Sequence, residues 1–138
     1  SSISYTGNNR THMIRIPDPG RFELRLMDGS VNPYLLQASV LASGLDGLKN
    51  KINPGKPLNC NMYEDHEKYP NLPKLPNELH QSLKMLKDNK DMNDAFGKDV
   101  VDSYIKLRSS EINEFNQKES FDKTKTITRW ERNNTLDC

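Results

Sequence analysis

The chain has 138 residues, and its 20 lysines and arginines nearly balance 19 aspartates and glutamates, so the formal net charge at pH 7 is +1. This balance excludes a bulk attraction to nucleic acid or to an anionic membrane, and any charge-based function must be local. Hydrophobic residues make up 33% of the chain, which is low for a self-sufficient core. Either much of the chain is exposed loop, or some of its apolar surface packs against further polypeptide chain.

Cysteine usage and hydropathy indicate the cellular setting. Cys60 and Cys138 lie far apart and match neither a metal-binding spacing nor a disulfide framework. A reduced, cytoplasmic setting is therefore expected. The sequence has no apolar run long enough to span a membrane, and its first residues are polar, which predicts no signal peptide.

The first predicted elements are two short strands, at 13–16 and 21–26, that follow a loop at 1–12. Apolar and polar residues alternate along both strands, as expected when one face is buried. The intervening Pro17-Asp18-Pro19-Gly20 is rich in turn formers, which predicts a β-hairpin. A three-residue turn at 18–20 would pair Ile14 with Leu24, Arg15 with Glu23, and Ile16 with Phe22.

One face of this hairpin would carry Arg15, Arg21, Glu23 and Arg25. Neighbours on one face lie about 7 Å apart, so the four side chains could form a ladder of ion pairs. They could instead form a ligand site, in which arginines bind phosphate or carboxylate and the glutamate binds a divalent cation. A nucleic-acid-binding ribbon is a third interpretation, although the surrounding sequence lacks a basic excess. The pattern alone leaves all three open.

The rest of the chain is predicted to be mainly helical. Asn32-Pro33 is a typical helix start, and the run that follows is apolar on most sides, which predicts a buried helix over 31–52. Five prolines between 53 and 76 predict an extended, irregular connection. Further helices are predicted at 77–88, 91–96 and 98–118, followed by a polar tail at 119–138. The predicted fold class is α+β, with an antiparallel β-hairpin from a larger sheet followed by packed α-helices.

Several motifs, in order and mostly between residues 5 and 63, resemble the C-terminal part of the glutamine synthetase catalytic domain, most closely its type III branch. They are Asn9-Arg10, Arg15-Ile16-Pro17, Arg21-Phe22-Glu23-Leu24-Arg25, Asn32-Pro33-Tyr34-Leu35 and the run 43–55. The resemblance implies an ATP-dependent glutamate–ammonia ligase that forms glutamine through γ-glutamyl phosphate, with Mg2+ or Mn2+ as the metal. A γ-glutamylmethylamide synthetase is the close alternative.

The resemblance also implies a role for each charged residue of the motifs. Glu23 would bind the metal that is shared with the nucleotide phosphates, and Arg25 would bind the carboxylate of the substrate glutamate. Arg10 and Arg15 would be catalytic residues that reach the ATP phosphates and the acyl phosphate, and Arg21 would lie beside the nucleotide. Such chemistry needs fixed cations, because it gathers several anions and stabilises a phosphoryl group in transfer.

Other parts of the family site have no counterpart in these residues. The resemblance places further carboxylate ligands, a metal-binding histidine, another substrate arginine and a flap glutamate upstream. It also implies a ring in which a neighbouring subunit completes each site. We therefore expect the partners to be the missing N-terminal part of the protein, neighbouring subunits of a homo-oligomer, glutamate and ammonia, but no nucleic acid or membrane. The isolated chain is expected to be inactive; a stand-alone phosphate-binding or assembly module is the alternative.

Two departures from the family pattern concern the nucleotide and regulation. The short turn at 18–20 lacks a lysine that the enterobacterial type carries near the nucleotide. Tyr63 falls where some bacterial members carry an adenylylated tyrosine, but the residues around it differ, which favours an ordinary loop tyrosine.

Overall fold

The computed structural model of the chain describes residues 2–118 and 127–135. The chain divides into two compact units, each built from two segments. Unit 1 comprises Ser1–Gly29 and Asn53–Leu75, and unit 2 comprises Ser30–Ile52 and Pro76–Cys138. Across the described residues, no helix is long and apolar enough to cross a membrane.

Unit 1 contains a three-stranded mixed sheet with the strand order β1-β2-β3. Strand β1 is Tyr5–Thr6, β2 is Ile14–Asp18 and β3 is Arg21–Leu24. Strands β2 and β3 form the predicted antiparallel hairpin, while β1 runs parallel to β2. The predicted loop at 1–12 therefore contains a strand, which was not predicted because a strand of two residues leaves no detectable alternation in the sequence.

The hairpin turn is shorter than predicted. Asp18 pairs with Arg21, so the turn has two central residues, Pro19 and Gly20, rather than three. Gly20 has φ 79°, and proline followed by a residue with positive φ is the combination that a type II turn requires.

The shorter turn changes one of the three predicted strand pairs. The pairs Ile14–Leu24 and Arg15–Glu23 are confirmed. The predicted pair Ile16–Phe22 is wrong, because the register shifts between Arg15 and Asp18. Over this interval β2 has one residue more than β3, which is the definition of a β-bulge.

The proline-rich segment folds back on the sheet of unit 1. The Leu58 amide donates to the Tyr5 carbonyl at 3.0 Å, and the Ile3 amide donates to the Pro73 carbonyl at 2.7 Å. The segment is not extended throughout, since it contains a helical turn α2 at Met62–Asp65 and a 3-10 turn at His66–Lys68. The prediction of an irregular connection is therefore wrong for this part.

Unit 2 consists of helices, and three of them lie close to their predicted positions. They are α3 at Leu79–Asp88, α4 at Lys90–Phe96 and α5 at Lys98–Lys118. Gly97, with φ 83°, separates α4 from α5. Among the described residues of this unit, Leu83 of α3 and Val101 of α5 are the buried hydrophobic ones, with 6% and 3% of their surface exposed.

Helix α1, at Pro33–Lys49, begins as predicted but is not buried. The Asn32 side chain accepts hydrogen bonds from the Tyr34 and Leu35 amides, so it caps the helix. No residue of the helix is buried, and Leu48 is 78% exposed. The prediction of a buried helix over 31–52 is wrong for this chain, because the described residues cover only part of the helix surface.

The predicted polar tail contains a further helix, α6, at Arg129–Thr135. Trp130 packs edge-on against Phe115 of α5, with ring centroids 5.6 Å apart and an interplanar angle of 85°. An aromatic pair of this geometry contributes about 0.5–1.5 kcal/mol beyond its buried area. The remaining tail positions, 119–126 and 136–138, lie outside the described residues.

Candidate functional site

The predicted charged face forms an ion-pair network on the hairpin. Glu23 Oε2 accepts from Arg15 Nη1 at 2.8 Å, and Glu23 Oε1 accepts from Arg25 Nη1. The Glu23 side chain is 32% exposed and that of Arg15 only 11%. The pairing of β2 with β3 places Arg15 opposite Glu23, and Arg25 lies two residues further along the same face.

The two arginines lower the pKa of Glu23 below its ordinary value. The hydrogen bond from Arg25 is the larger cause and the bond from Arg15 the next, while partial desolvation opposes them. The carboxylate is therefore ionised at neutral pH, which is the state that can bind a cation.

Arg15 has a second partner, Asn8, which was not among the predicted site residues. The Asn8 side-chain oxygen accepts from Arg15 Nε at 2.9 Å and from Arg15 Nη2 at 2.5 Å. Asn8 lies two residues after the end of β1, and it reaches Arg15 because β1 pairs in parallel with β2. No local pattern could reveal this contact, since it depends on a two-residue strand.

The loop between β1 and β2 is fixed by polar contacts to the second segment of unit 1. Asn9 Nδ2 donates to the Cys60 carbonyl at 2.9 Å, and the Met62 amide donates to Thr11 Oγ1 at 3.0 Å. His12 is 3% exposed, with Nδ1 3.0 Å from Ser4 Oγ and Nε2 3.0 Å from the Cys60 carbonyl oxygen. A carbonyl oxygen only accepts, so Nε2 carries a proton. His12 is therefore a buried anchor of the loop rather than an exposed loop residue.

Arg10 lies on this loop and lines an open cavity of about 710 Å3 in unit 1. The cavity walls also include Gly7, Asn8, Asn9 and Asn59. Its volume is within the range of small-molecule sites, roughly 300–1,000 Å3. An exposed guanidinium, side-chain amides and backbone amides are suitable donors for an anionic ligand.

The structure does not join Arg21 to this network. Arg21 is exposed at the turn end of β3, and within the described part of the chain it forms no ion pair. Of the five predicted site residues, Arg15, Glu23 and Arg25 are therefore in direct contact, while Arg10 lines the cavity and Arg21 stands apart.

The residues present fit part of a metal and nucleotide site. Among the residues that the structure describes, no three metal-binding side chains come together. Glu23 alone could supply one oxygen ligand, and Mg2+ commonly takes only one or two carboxylates beside substrate phosphates and water. The arginines could bind phosphate oxygens as forked donors.

Comparison with known proteins identifies the family of the chain. The family described as glutamine synthetase, catalytic domain, matches residues 1–133. A glutamine synthetase of Rhizobium meliloti (strain 1021) is 43% identical over 137 residues, which cover 99% of this chain and 30% of that protein. A glutamate–methylamine ligase of Methyloversatilis universalis is 38% identical over 138 residues, covering 98% of this chain and 29% of that protein.

Solved structures show the same likeness. The structures titled "Apo GmaS without ligand" and "GmaS/ADP complex-Conformation 1" match with TM-scores of 0.79 and 0.80 at 38% identity. Each match covers 99% of this chain and 30% of the solved chain. The chain thus spans about 30% of the length of the relatives it matches. Because the family match extends over nearly all of its residues, the chain belongs to the glutamine synthetase catalytic-domain family.

Proposed function

We propose that this chain forms one wall of the active site of an ATP-dependent glutamate–ammonia ligase, which makes glutamine through γ-glutamyl phosphate. The observation that carries the proposal is the Arg15–Glu23–Arg25 network beside the cavity that Arg10 lines. The network combines forked cationic donors with an ionised carboxylate, and phosphoryl transfer to a carboxylate requires both. One of the similar solved structures is titled as a GmaS/ADP complex, which supports a nucleotide as a ligand of the whole protein.

Each site residue has a defined task in this proposal. Arg10 and Arg15 bind phosphate oxygens and neutralise the charge that develops during phosphoryl transfer, while Arg25 binds the carboxylate of glutamate. Glu23 is one ligand of Mg2+ or Mn2+, a metal that offsets the charge of the phosphates. Arg21 assists on the nucleotide side.

The proposal includes partners outside these 138 residues. The rest of the catalytic site comes from the N-terminal part of the protein and from neighbouring subunits of a homo-oligomer in the cytoplasm. The isolated chain should therefore release no ADP from ATP in the presence of glutamate, ammonium and Mg2+. Turnover at enzyme-like rates, roughly 1–1,000 per second, would contradict this expectation.

A chimera tests the activity directly. The matching 137-residue segment of the Rhizobium meliloti enzyme is replaced by this chain, and ammonium-dependent glutamine and phosphate formation are measured. We expect an active chimera in which Arg25→Ala raises the KM for glutamate by about tenfold or more, because a charge-assisted bond is worth about 1.5–3 kcal/mol. The control is Arg129→Ala at an exposed position of α6, which should leave the KM for glutamate unchanged. A correctly assembled but inactive chimera would refute the proposal.

Methylamine as the acceptor is a second candidate, which the 38% identity to the glutamate–methylamine ligase favours. The chimera should be assayed with ammonium and with methylamine, and the ratio of kcat/KM values decides between them.

The alternative of a stand-alone phosphate-binding module predicts that nucleotide raises the melting temperature of the isolated chain without any turnover.

A further inference from the structure

The guanidinium of Arg15 is held on two edges by partners of different chemistry. Asn8 Oδ1 accepts from Nε and Nη2, and Glu23 Oε2 accepts from Nη1. These contacts engage three of the five N–H donors that a guanidinium carries. Among the residues that the structure describes, no partner engages the other two donors, one on each terminal nitrogen, so they remain for a ligand. The Arg15 guanidinium is therefore held in one orientation, although its hydrogen-bond donors are not all engaged.

The two partners respond differently to a cation. Glu23 has one oxygen on each arginine, and a divalent cation that binds Glu23 competes with both guanidinium groups for the same oxygens. Asn8 is uncharged and binds Arg15 through an amide oxygen on the opposite edge. When Glu23 is engaged by a metal, Asn8 is the partner that still holds Arg15.

Asn8 is itself well placed for this task. It lines the same cavity as Arg10, and its neighbour Asn9 is tied to the Cys60 carbonyl and to Thr11. The backbone that carries Asn8 is thus fixed in unit 1 before any ligand binds.

We propose that Asn8 is a positioning residue, which keeps the Arg15 guanidinium oriented for a phosphate group when Glu23 binds a divalent cation. The proposal rests on the proposed function, because it assumes that Arg15 binds phosphate. A guanidinium that is already fixed loses less conformational entropy when a ligand binds, so the affinity is higher. Loss of Asn8 leaves Arg15 without a hydrogen-bond partner on one edge.

The first readout is the Arg15 Nε–H signal in a proton–nitrogen NMR spectrum of the chain, assigned with Arg15→Lys. In the wild type this proton should exchange slowly with water, both without metal and with Mg2+ alone. Asn8→Ala should accelerate its exchange about tenfold or more, since the hydrogen bond that protects it is gone. Asn8→Asp keeps the acceptor oxygen and should restore the protection.

The second readout is the affinity for ATP with Mg2+ of the chimera with the Rhizobium meliloti enzyme, measured by calorimetry. Arg15→Ala should abolish binding, and Asn8→Ala should weaken it about tenfold, as expected for one to two hydrogen bonds. The matched control is Asn71→Ala, because Asn71 is exposed in the same unit, lies outside the cavity lining, and its side chain has no hydrogen bond within the described residues. The control should leave both readouts unchanged.

The outcomes separate the two proposals. If Asn8→Ala leaves the Arg15 signal and the ATP affinity unchanged while Arg15→Ala abolishes binding, the positioning role is overturned and the proposed function stands. A loss of stability in Asn8→Ala without faster Nε–H exchange also overturns it, since a merely structural role predicts that result. If ATP does not bind to the correctly assembled chimera, or binds equally to its Arg15→Ala variant, the proposed function fails and the positioning role fails with it.

Discussion

Glu23 is the residue on which the charged face depends, because its two carboxylate oxygens bind different arginines. Two guanidinium charges and one carboxylate leave a local excess of one positive charge. That excess is a small attraction for an anionic ligand, and it grows when the carboxylate is neutralised or engaged by a cation. The same residue thus links the stability of the hairpin to the charge of the site.

The lowered pKa of Glu23 predicts an acid-sensitive contribution to stability. Because its pKa is lower in the folded chain than the ordinary value of 4.5, the ionised form favours folding. This contribution is complete above pH 4.5 and is lost as the pH falls through the folded-state pKa. We expect the difference in free energy of unfolding between the wild type and Glu23→Gln to be constant near neutral pH and to shrink below pH 4.5. Urea titrations between pH 3 and pH 7, without metal, measure it.

Other acidic residues do not obscure this measurement. The pKa values of Asp65, Asp88 and Glu114 are also lowered, in each case chiefly by a lysine partner. They are present in both proteins, so their effects cancel in the difference. A difference that does not depend on pH would show that the arginines do not hold the Glu23 carboxylate in solution.

Among the elements, the hairpin depends on a turn that only glycine can make without strain. Gly20 has φ 79°, and a Cβ added there would meet no atom within 4 Å. The cost of Gly20→Ala is therefore purely conformational, about 1–2 kcal/mol. Thermal or chemical unfolding should show this loss. Gly29→Ala is the matched control, since a Cβ there also meets nothing and the backbone is not left-handed; it should be close to neutral. Equal losses in both variants would refute the argument.

Elements with a clear period were predictable from the sequence, and those without one were not. The leucine stripe of α3 and the position of Gly97 locate the helices between 79 and 118 within a few residues. The alternation of apolar and polar residues around Arg15 and Glu23 predicts that these two residues pair across the hairpin. Strand β1 and helix α2, with two and four residues, are too short for any period. Asn8 was missed for the same reason, because its contact with Arg15 exists only through β1.

At the scale of the whole molecule, the main feature of the described residues is the exposure of α1. Leu41, Leu45 and Leu48 are 64%, 57% and 78% exposed, and their spacing puts them on one helical face. Exposed apolar patches of this kind usually mark surfaces that meet other protein. The chain spans about 30% of its relatives' length. Most of the surface of those relatives therefore belongs to residues that have no counterpart in this chain.

This exposure predicts that the isolated chain associates through apolar contacts and that a charge on α1 reduces the association. In sedimentation velocity experiments, Leu45→Lys should lower the concentration-dependent association of the wild type. The same variant should change the free energy of unfolding by less than about 0.5 kcal/mol, as expected for an exposed site. Leu83→Ala is the buried counterpart, with 6% of the leucine exposed, and it should cost about 2–5 kcal/mol. If Leu45→Lys leaves the concentration-dependent association of the wild type unchanged, the α1 face is not the associating surface and the prediction is wrong.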